Sequence, residues 1–270
     1  MALITKITTQ KKNNERFNIF LDHGQGEEYA FSVDQAVLIS FQLKKGMELD
    51  ELDITEIQFD DEVKKAFNLA LVFLSYRMRS KKEIIDYLKK KEVEEPIIPE
   101  VIHKLIEYKY VNDLEFAKAY VQTQINTTVK GPSVIKQELF EKGIEQDHIS
   151  NSLELFSSEM QIQKAVKLIE KTITSTKNMS DMLLKQKLEQ TLMRKGYGWD
   201  IIQIALEEVE VDKDDNEEWE ALEHHGNKAH RKYEKLDGWE YNQKMKQTLF
   251  RKGFSIELID KFIESLKDGD

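Results

Sequence analysis

The segment Lys187-Leu188-Glu189-Gln190-Thr191-Leu192-Met193-Arg194-Lys195-Gly196-Tyr197 returns further along the chain as Lys244-Met245-Lys246-Gln247-Thr248-Leu249-Phe250-Arg251-Lys252-Gly253-Phe254, with seven of eleven positions identical. Weaker copies lie upstream, in Leu139-Phe140-Glu141-Lys142-Gly143-Ile144 and in Leu88-Lys89-Lys90-Lys91-Glu92-Val93. The anchor leucines Leu88, Leu139, Leu192 and Leu249 thus follow one another at nearly even intervals. Internal repetition with a period of this size marks a tandem array, in which each unit covers the apolar face of its neighbour. Four units then account for nearly all of the sequence after Asp60: 61–113, 114–161, 162–216 and 217–270.

Each unit has room for three helices. Only 11 glycines and 3 prolines interrupt 270 residues, and Leu, Ile, Lys and Glu are abundant, which favours helix. In the first unit Ala66, Leu69, Ala70 and Phe73 share one helical face. Ser80-Lys81-Lys82-Glu83 then offers a capping box, opening a second helix that carries Ile84, Tyr87 and Leu88. A third helix holds Val101, Leu105, Ile106 and Tyr108. In the second unit Phe116, Ala117 and Tyr120 mark the first helix, and Pro132 stands where the first helical position tolerates it. Gly143, Gly196 and Gly253 each follow a basic residue at the expected end of a second helix. A glycine there takes the left-handed conformation that closes a helix, and the cation suits the negative end of the dipole.

The chain up to Asp60 reads differently. Leu3, Thr5, Ile7 and Thr9 alternate with their neighbours, as do Phe17, Ile19 and Leu21, and then Tyr29, Phe31 and Val33 beyond the Gly24–Gly26 turn. Period-2 runs separated by turn residues predict a small antiparallel sheet. Asp34 caps a short helical stretch after it. The fold class is therefore mainly α: an elongated array of four three-helix repeats, preceded by a small α+β module over residues 1–60.

Charge narrows the function. The chain carries 40 basic and 50 acidic side chains, a formal net charge of −10. That balance argues against a protein living mainly by non-specific attraction to phosphate. Only the unit 61–113 is positive, with 11 basic against 10 acidic groups, and its cations cluster at Arg77, Arg79, Lys81, Lys82 and Lys89–Lys91. They form either a contact surface for nucleic acid or an acidic protein, or a solvated helix face with i,i+4 partners such as Glu83 and Asp86. The absence of cysteine excludes disulfides, thiolate metal sites and a Cys nucleophile. No apolar run approaches the ~18–20 residues of a membrane span, and the N-terminal sequence has no signal-peptide pattern. A cytoplasmic protein that does not engage membrane is expected.

No catalytic residue, cofactor or metal site is expected either. Walker-type loops, GxGxxG, HExxH and GxSxG are all missing. His224, His225 and His230 lie near Glu220 and Glu223, but a solvated polar stretch explains them better than a metal. His103 and His148 stand alone in third helices. Trp199, Trp219 and Trp239 fall beside helix starts, where packing in the core or between repeats accounts for them.

The stretch Ala66–Leu155 resembles the RecX family of bacterial RecA regulators. The resemblance rests on Leu71-Val72-Phe73-Leu74-Ser75-Tyr76-Arg77-Met78-Arg79-Ser80 with Glu83-Ile84, and on Tyr110-Val111-Asn112-Asp113-Leu114-Glu115-Phe116-Ala117-Lys118-Ala119-Tyr120-Val121. It continues in Gly131-Pro132-Ser133-Val134-Ile135 and Leu139-Phe140-Glu141-Lys142-Gly143-Ile144. Ile4-Thr5-Lys6-Ile7, Tyr29-Ala30-Phe31-Ser32-Val33 and Leu43-Lys44-Lys45-Gly46-Met47-Glu48-Leu49 are similar to the longer members from low-GC Gram-positive bacteria. The resemblance implies a non-enzymatic modulator, most simply an inhibitor. It would bind in the groove of the RecA–single-stranded-DNA filament and restrain recombinase, ATPase and LexA-coprotease activity. Shorter members have three repeats, so the fourth unit and the N-terminal module take no role from them.

On this reading the protein is a monomer whose partner is RecA, with at most weak direct contact to DNA. Arg77, Arg79, Lys82 and Lys89 are the candidates for facing acidic RecA surface or DNA phosphate. Lys142, Arg194, Lys195, Arg251 and Lys252 rank second, because helix capping already explains part of their presence. Two other classes stay open: an acidic helical-repeat scaffold for another protein, and a direct DNA-binding regulator built on three-helix units.

Overall fold

The computed structural model describes residues 1–209 and 215–267, so 210–214, near the end of the third expected unit, and the last three residues of the fourth lie outside the described residues. Among those described are four strands and thirteen helices. Strands β1 (Ala2–Gln10), β2 (Asn13–Asp22), β3 (Glu27–Asp34) and β4 (Glu48–Leu49) form one antiparallel sheet in the order β3-β2-β1-β4. The turn into β3 is made by Asp22, whose carboxylate accepts the N–H groups of Gly24 and Gly26 at 2.7 and 2.9 Å. Two register shifts then reset the alternation. The first, at Thr5, puts Ile4 opposite Leu21 and Ile7 opposite Ile19, so both isoleucines reach the core despite their odd spacing. The second, at Ala30, leaves Phe31 and Val33 buried and turns Tyr29 outward, edge-on to Phe20 at 6.0 Å.

Helix α1 (Gln35–Ser40) is capped by Asp34, which accepts the Ala36 N–H. Helix α2 (Glu51–Ser75) opens on a reciprocal capping box between Asp50 and Asp53 and runs unbroken through Asp60. It serves two cores. Ile57 packs with the sheet residues Ile4, Ile19, Leu21, Phe31 and Val33. Val63, Ala66, Phe67 and Ala70 pack against α3 (Lys81–Lys90) and α4 (Ile97–Glu107) through Ile84, Leu88, Val101 and Leu105. Leu69, expected on that face, is 38% exposed. Between the two cores Asp61 is buried in α2 and ties the helix to the strands. It accepts from the Arg16 guanidinium at 2.8 Å and from the Asp34 N–H at 2.7 Å, and it pairs with Lys65 at 3.0 Å.

Three further helix triplets follow: α5 (Asp113–Thr127), α6 (Pro132–Glu141) and α7 (Gln146–Leu153); α8 (Ser158–Thr174), α9 (Asp181–Lys195) and α10 (Trp199–Glu208); α11 (Asp215–Tyr233), α12 (Gly238–Phe250) and α13 (Ile256–Lys267). Each of the last two has its own core. Ala165, Ile169, Leu188, Leu192, Ile202 and Ala205 fill one, and Leu222, Met245, Leu249, Phe254, Ile259 and Phe262 fill the other. In the latter, Gly226 lets the Phe262 ring approach α11, where a Cβ would stand 2.2 Å from it. The chain is thus mainly helical, with repeating three-helix domains behind a small strand module. It falls into two compact units, Met1–Ala117 with Glu141–His148 in one, and Lys118–Phe140 with the chain from Ile149 onward in the other.

Candidate functional site

The cationic cluster of the first unit begins where α2 ends and α3 starts. Ser80 caps α3 through the expected box: its Oγ accepts the Glu83 N–H, and the Glu83 carboxylate accepts the Ser80 N–H. Glu83 is also the partner of Arg77, whose Nη2 lies 2.8 Å from it, and of Lys142 at 3.6 Å. Burial pushes the Glu83 carboxyl up, but the Arg77 and Ser80 hydrogen bonds and the Lys142 charge outweigh it and hold the group below the usual carboxylate range. Lys82 donates through Nζ to the Glu141 carbonyl at 2.8 Å. Arg77, Lys82 and Lys142 therefore converge on Glu83 and the end of α6. Arg79 takes another course. Its guanidinium lies 4.0 Å above the Phe73 ring, which is itself stacked on Tyr87 at 4.0 Å, with Lys91 beyond at 5.7 Å.

The basic residue before each glycine contributes its carbonyl to a recurring joint. The Ser80 hydroxyl donates to the Lys142 carbonyl at 2.8 Å, the Gly131 N–H to the Lys195 carbonyl at 2.7 Å, and the Ser180 hydroxyl to the Lys252 carbonyl at 2.5 Å. Gly196 closes α9 with φ +90°, as the sequence predicts, and its carbonyl accepts the Ser133 N–H at 3.1 Å. A Cβ on Gly196 would stand 2.7 Å from the Val134 backbone nitrogen. Tyr197 beside it is buried, which pushes its phenol up to about 12, and its hydroxyl donates to the Val129 carbonyl at 3.3 Å. The recurrent Lys-Gly thus ends a helix and meets the start of another. The side chains of Arg194, Arg251 and Lys252 stay exposed, and that of Lys195 is half-buried.

The fourth leading candidate, Lys89, lies elsewhere. It lines a groove of about 560 Å³ between α3 and α4, together with Lys81, Ile85, Glu95, Ile98, Pro99, Ile102, His103 and Ile106. Lys81, Ile85 and Lys89 share one face of α3 at i,i+4 spacing, and Ile98, Ile102 and Ile106 do the same on α4. Lys89 pairs loosely with Glu95 at 3.8 Å. The backbone N–H of Lys81 is taken by Asp113 at 2.8 Å; burial pushes that carboxyl up against the pull of the Lys81 N–H. Sequence reasoning placed Lys81 in the cluster without selecting it. The signal that would have found the groove is the pair of i,i+4,i+8 rows on consecutive helices.

The histidines on α11 diverge. His224 lies against Lys228, His225 Nε2 against the Asn178 carbonyl, and His230 Nδ1 against the Tyr241 hydroxyl. The tryptophans depart from expectation. Only Trp219 packs, edge-on to Phe262 at 6.1 Å, whereas Trp199 and Trp239 are 56% and 76% exposed. Both stand in the first turn of a helix, ahead of its first buried residue.

A strand module followed by repeating three-helix domains, joined at a helix end by a glycine, defines a tandem helical-repeat protein. The residues 2–50 match the family model for the regulatory protein RecX N-terminal domain. The models for the first and second RecX three-helix domains match 66–105 and 112–153, and the third matches twice, over 159–206 and 216–263. The chain is 54% identical to the regulatory protein RecX of Bacillus subtilis over 264 residues, 98% of each chain. To that of Bacillus cytotoxicus it is 52% identical over the same length. A crystal structure of a regulatory protein RecX superposes with a TM-score of 0.69 at 37% identity, covering 77% of this chain and all of that one. RecX from Lactobacillus salivarius gives 0.54, also at 37% identity, over 57% of this chain and 99% of that one. The chain belongs to the RecX family and is a RecX-type regulatory protein. Among the described residues no helix is long and apolar enough to cross a membrane.

Proposed function

We propose that the protein regulates RecA without catalysing a reaction of its own. It binds along the groove of the RecA–single-stranded-DNA filament as a monomer in the cytoplasm and restrains recombinase, ATPase and LexA-coprotease activity. The observation that carries this reading is similarity over 98% of the chain to proteins named for that regulatory family. Repetition supports the mode of binding. Similar units, here 61–113, 114–161, 162–216 and 217–270, suit the successive identical subunits of a polymer, and weak contacts combine through effective concentration.

The nine cations remain the proposed contact set, but their intramolecular roles now rank them. Lys89, Arg194, Arg251 and Lys252 are exposed, and Lys195 is half-buried. Arg77, Lys82 and Lys142 are committed to Glu83 and to α6, and Arg79 to Phe73. The test is ATP hydrolysis by preformed RecA–single-stranded-DNA filaments during titration with this protein, with duplex-DNA binding measured alongside. Substoichiometric loss of turnover is expected. Unchanged turnover and no filament binding would sink the reading, and tight duplex binding without RecA would replace it with a direct DNA-binding regulator.

A further inference from the structure

The groove between α3 and α4 differs in chemistry from the cations around Glu83. Its floor is aliphatic. Ile98 and Ile102 are each 5% exposed, and Ile106, at its end, is 47% exposed. Its rim on the α3 side is cationic, with Lys81 and Lys89 two turns apart, and the opposite side holds Pro99 and His103. The one carboxylate in the lining, Glu95, lies beside Lys89. The volume falls within the range of pre-formed ligand sites, roughly 300–1,000 Å³. A nucleic-acid strand is a poor occupant, because His103 alone offers a base an aromatic face and two lysines make no continuous phosphate track. Aliphatic floors flanked by cations suit an amphipathic peptide segment whose apolar side chains enter the groove while its carboxylates meet the rim.

We propose that this groove is a docking site for an acidic, amphipathic segment of the protein partner. Resting on the RecA reading above, this makes the first repeat a reader of filament protein and not of filament DNA. Ile106 is the anchor contact and Lys81 and Lys89 the orienting ones. The experiment compares the full-length wild type, Ile106→Asp and the double variant Lys81→Glu/Lys89→Glu for binding to RecA–single-stranded-DNA filaments and to the same DNA without RecA. Circular dichroism and thermal unfolding confirm that each variant folds. Ile106→Asp is expected to lose about tenfold or more in filament affinity, because it puts a charge where the partner's apolar side chain would be buried. The double variant should lose affinity by a smaller factor, and binding to naked DNA should be unchanged in both. Filament affinity within twofold of wild type for Ile106→Asp would overturn the groove while leaving RecA regulation in place. A parallel loss on naked DNA would overturn the choice of a protein ligand. Failure of the wild type itself to bind filaments would overturn both readings.

Discussion

At the residue scale, Asp61 shows how one buried carboxylate serves as a structural fastener. Its side chain is 3% exposed, yet it takes hydrogen bonds from Arg16 on β2 and from the Asp34 backbone at the end of β3. Burial pushes its carboxyl up, and the Arg16, Asp34 and Lys65 bonds outweigh burial, so the folded group titrates below its ordinary value. A carboxylate depressed in the folded state contributes stability that is present above its unfolded pKa, about 3.9, and that drains as pH falls below that value through the folded one. Asp61→Asn keeps an acceptor for the Asp34 N–H but strips the charge facing Arg16. It should destabilise the protein by about 2 kcal/mol or more at neutral pH, the scale of breaking a buried pair. Urea unfolding of the two proteins from pH 7 down to pH 3 checks this, since the variant's deficit should shrink toward the acid end. A deficit that stays constant with pH would assign the loss to packing instead of charge.

At the element scale, the joint between a helix end and the start of another explains why glycine follows the basic residue. Gly196 combines a left-handed φ of +90° with a backbone neighbour 2.7 Å from where a Cβ would sit. Gly196→Ala therefore meets both conformational strain and a clash that no rotamer relieves, and about 3 kcal/mol of destabilisation is expected. Gly238→Ala is the control: it opens α12 with open space around it, and it should change stability by no more than about 0.5 kcal/mol. Thermal unfolding of both variants decides the matter, and equal effects would remove the joint's importance. Half of this device is legible in the sequence. Lys-Gly at a helix end announces a cap, and Ser80-x-x-Glu83 announces the start of α3, because both are local rules written in adjacent residues. The hydrogen bonds from Ser80 to Lys142 and from Ser180 to Lys252 span 62 and 72 residues, a pairing that no local rule encodes. For the same reason the first three strands were legible but not the two-residue β4 or the register, since Thr5 and Ala30 shift it by a bulge. The site was legible only as a list of cations. Which of them are spent on Glu83 and which border the groove depends on how α3 and α4 pack.

At the scale of the whole molecule, the net charge of −10 sets the problem that the proposed filament binding must solve. A net negative charge gives no long-range attraction to a polyanionic assembly, so on the proposed reading affinity comes from short-range contacts distributed over repeats. Each is individually weak and screened over about 10 Å at moderate salt. The doubled match to the third three-helix domain gives this chain a fourth unit of the same kind. Its exposed Arg251 and Lys252 follow α12 as Arg194 and Lys195 stand at the end of α9. Their side chains are dispensable to the joint, because it is the Lys252 carbonyl that accepts from Ser180. Arg251→Glu/Lys252→Glu should therefore leave folding stability within about 0.5 kcal/mol of wild type. It should still weaken filament binding, by roughly three- to tenfold if the fourth unit makes a contact of ordinary ion-pair strength. Combined with Lys81→Glu/Lys89→Glu in the first repeat, which shares no partner with it, the losses should multiply, as independent contacts add in free energy. Filament-binding isotherms of the wild type, the two double variants and the quadruple variant, taken at two salt concentrations, check this. Multiplicative losses that shrink at high salt are the expectation. A fourth-repeat variant that binds as the wild type does would confine recognition to the earlier repeats and leave the fourth unit without a part in it.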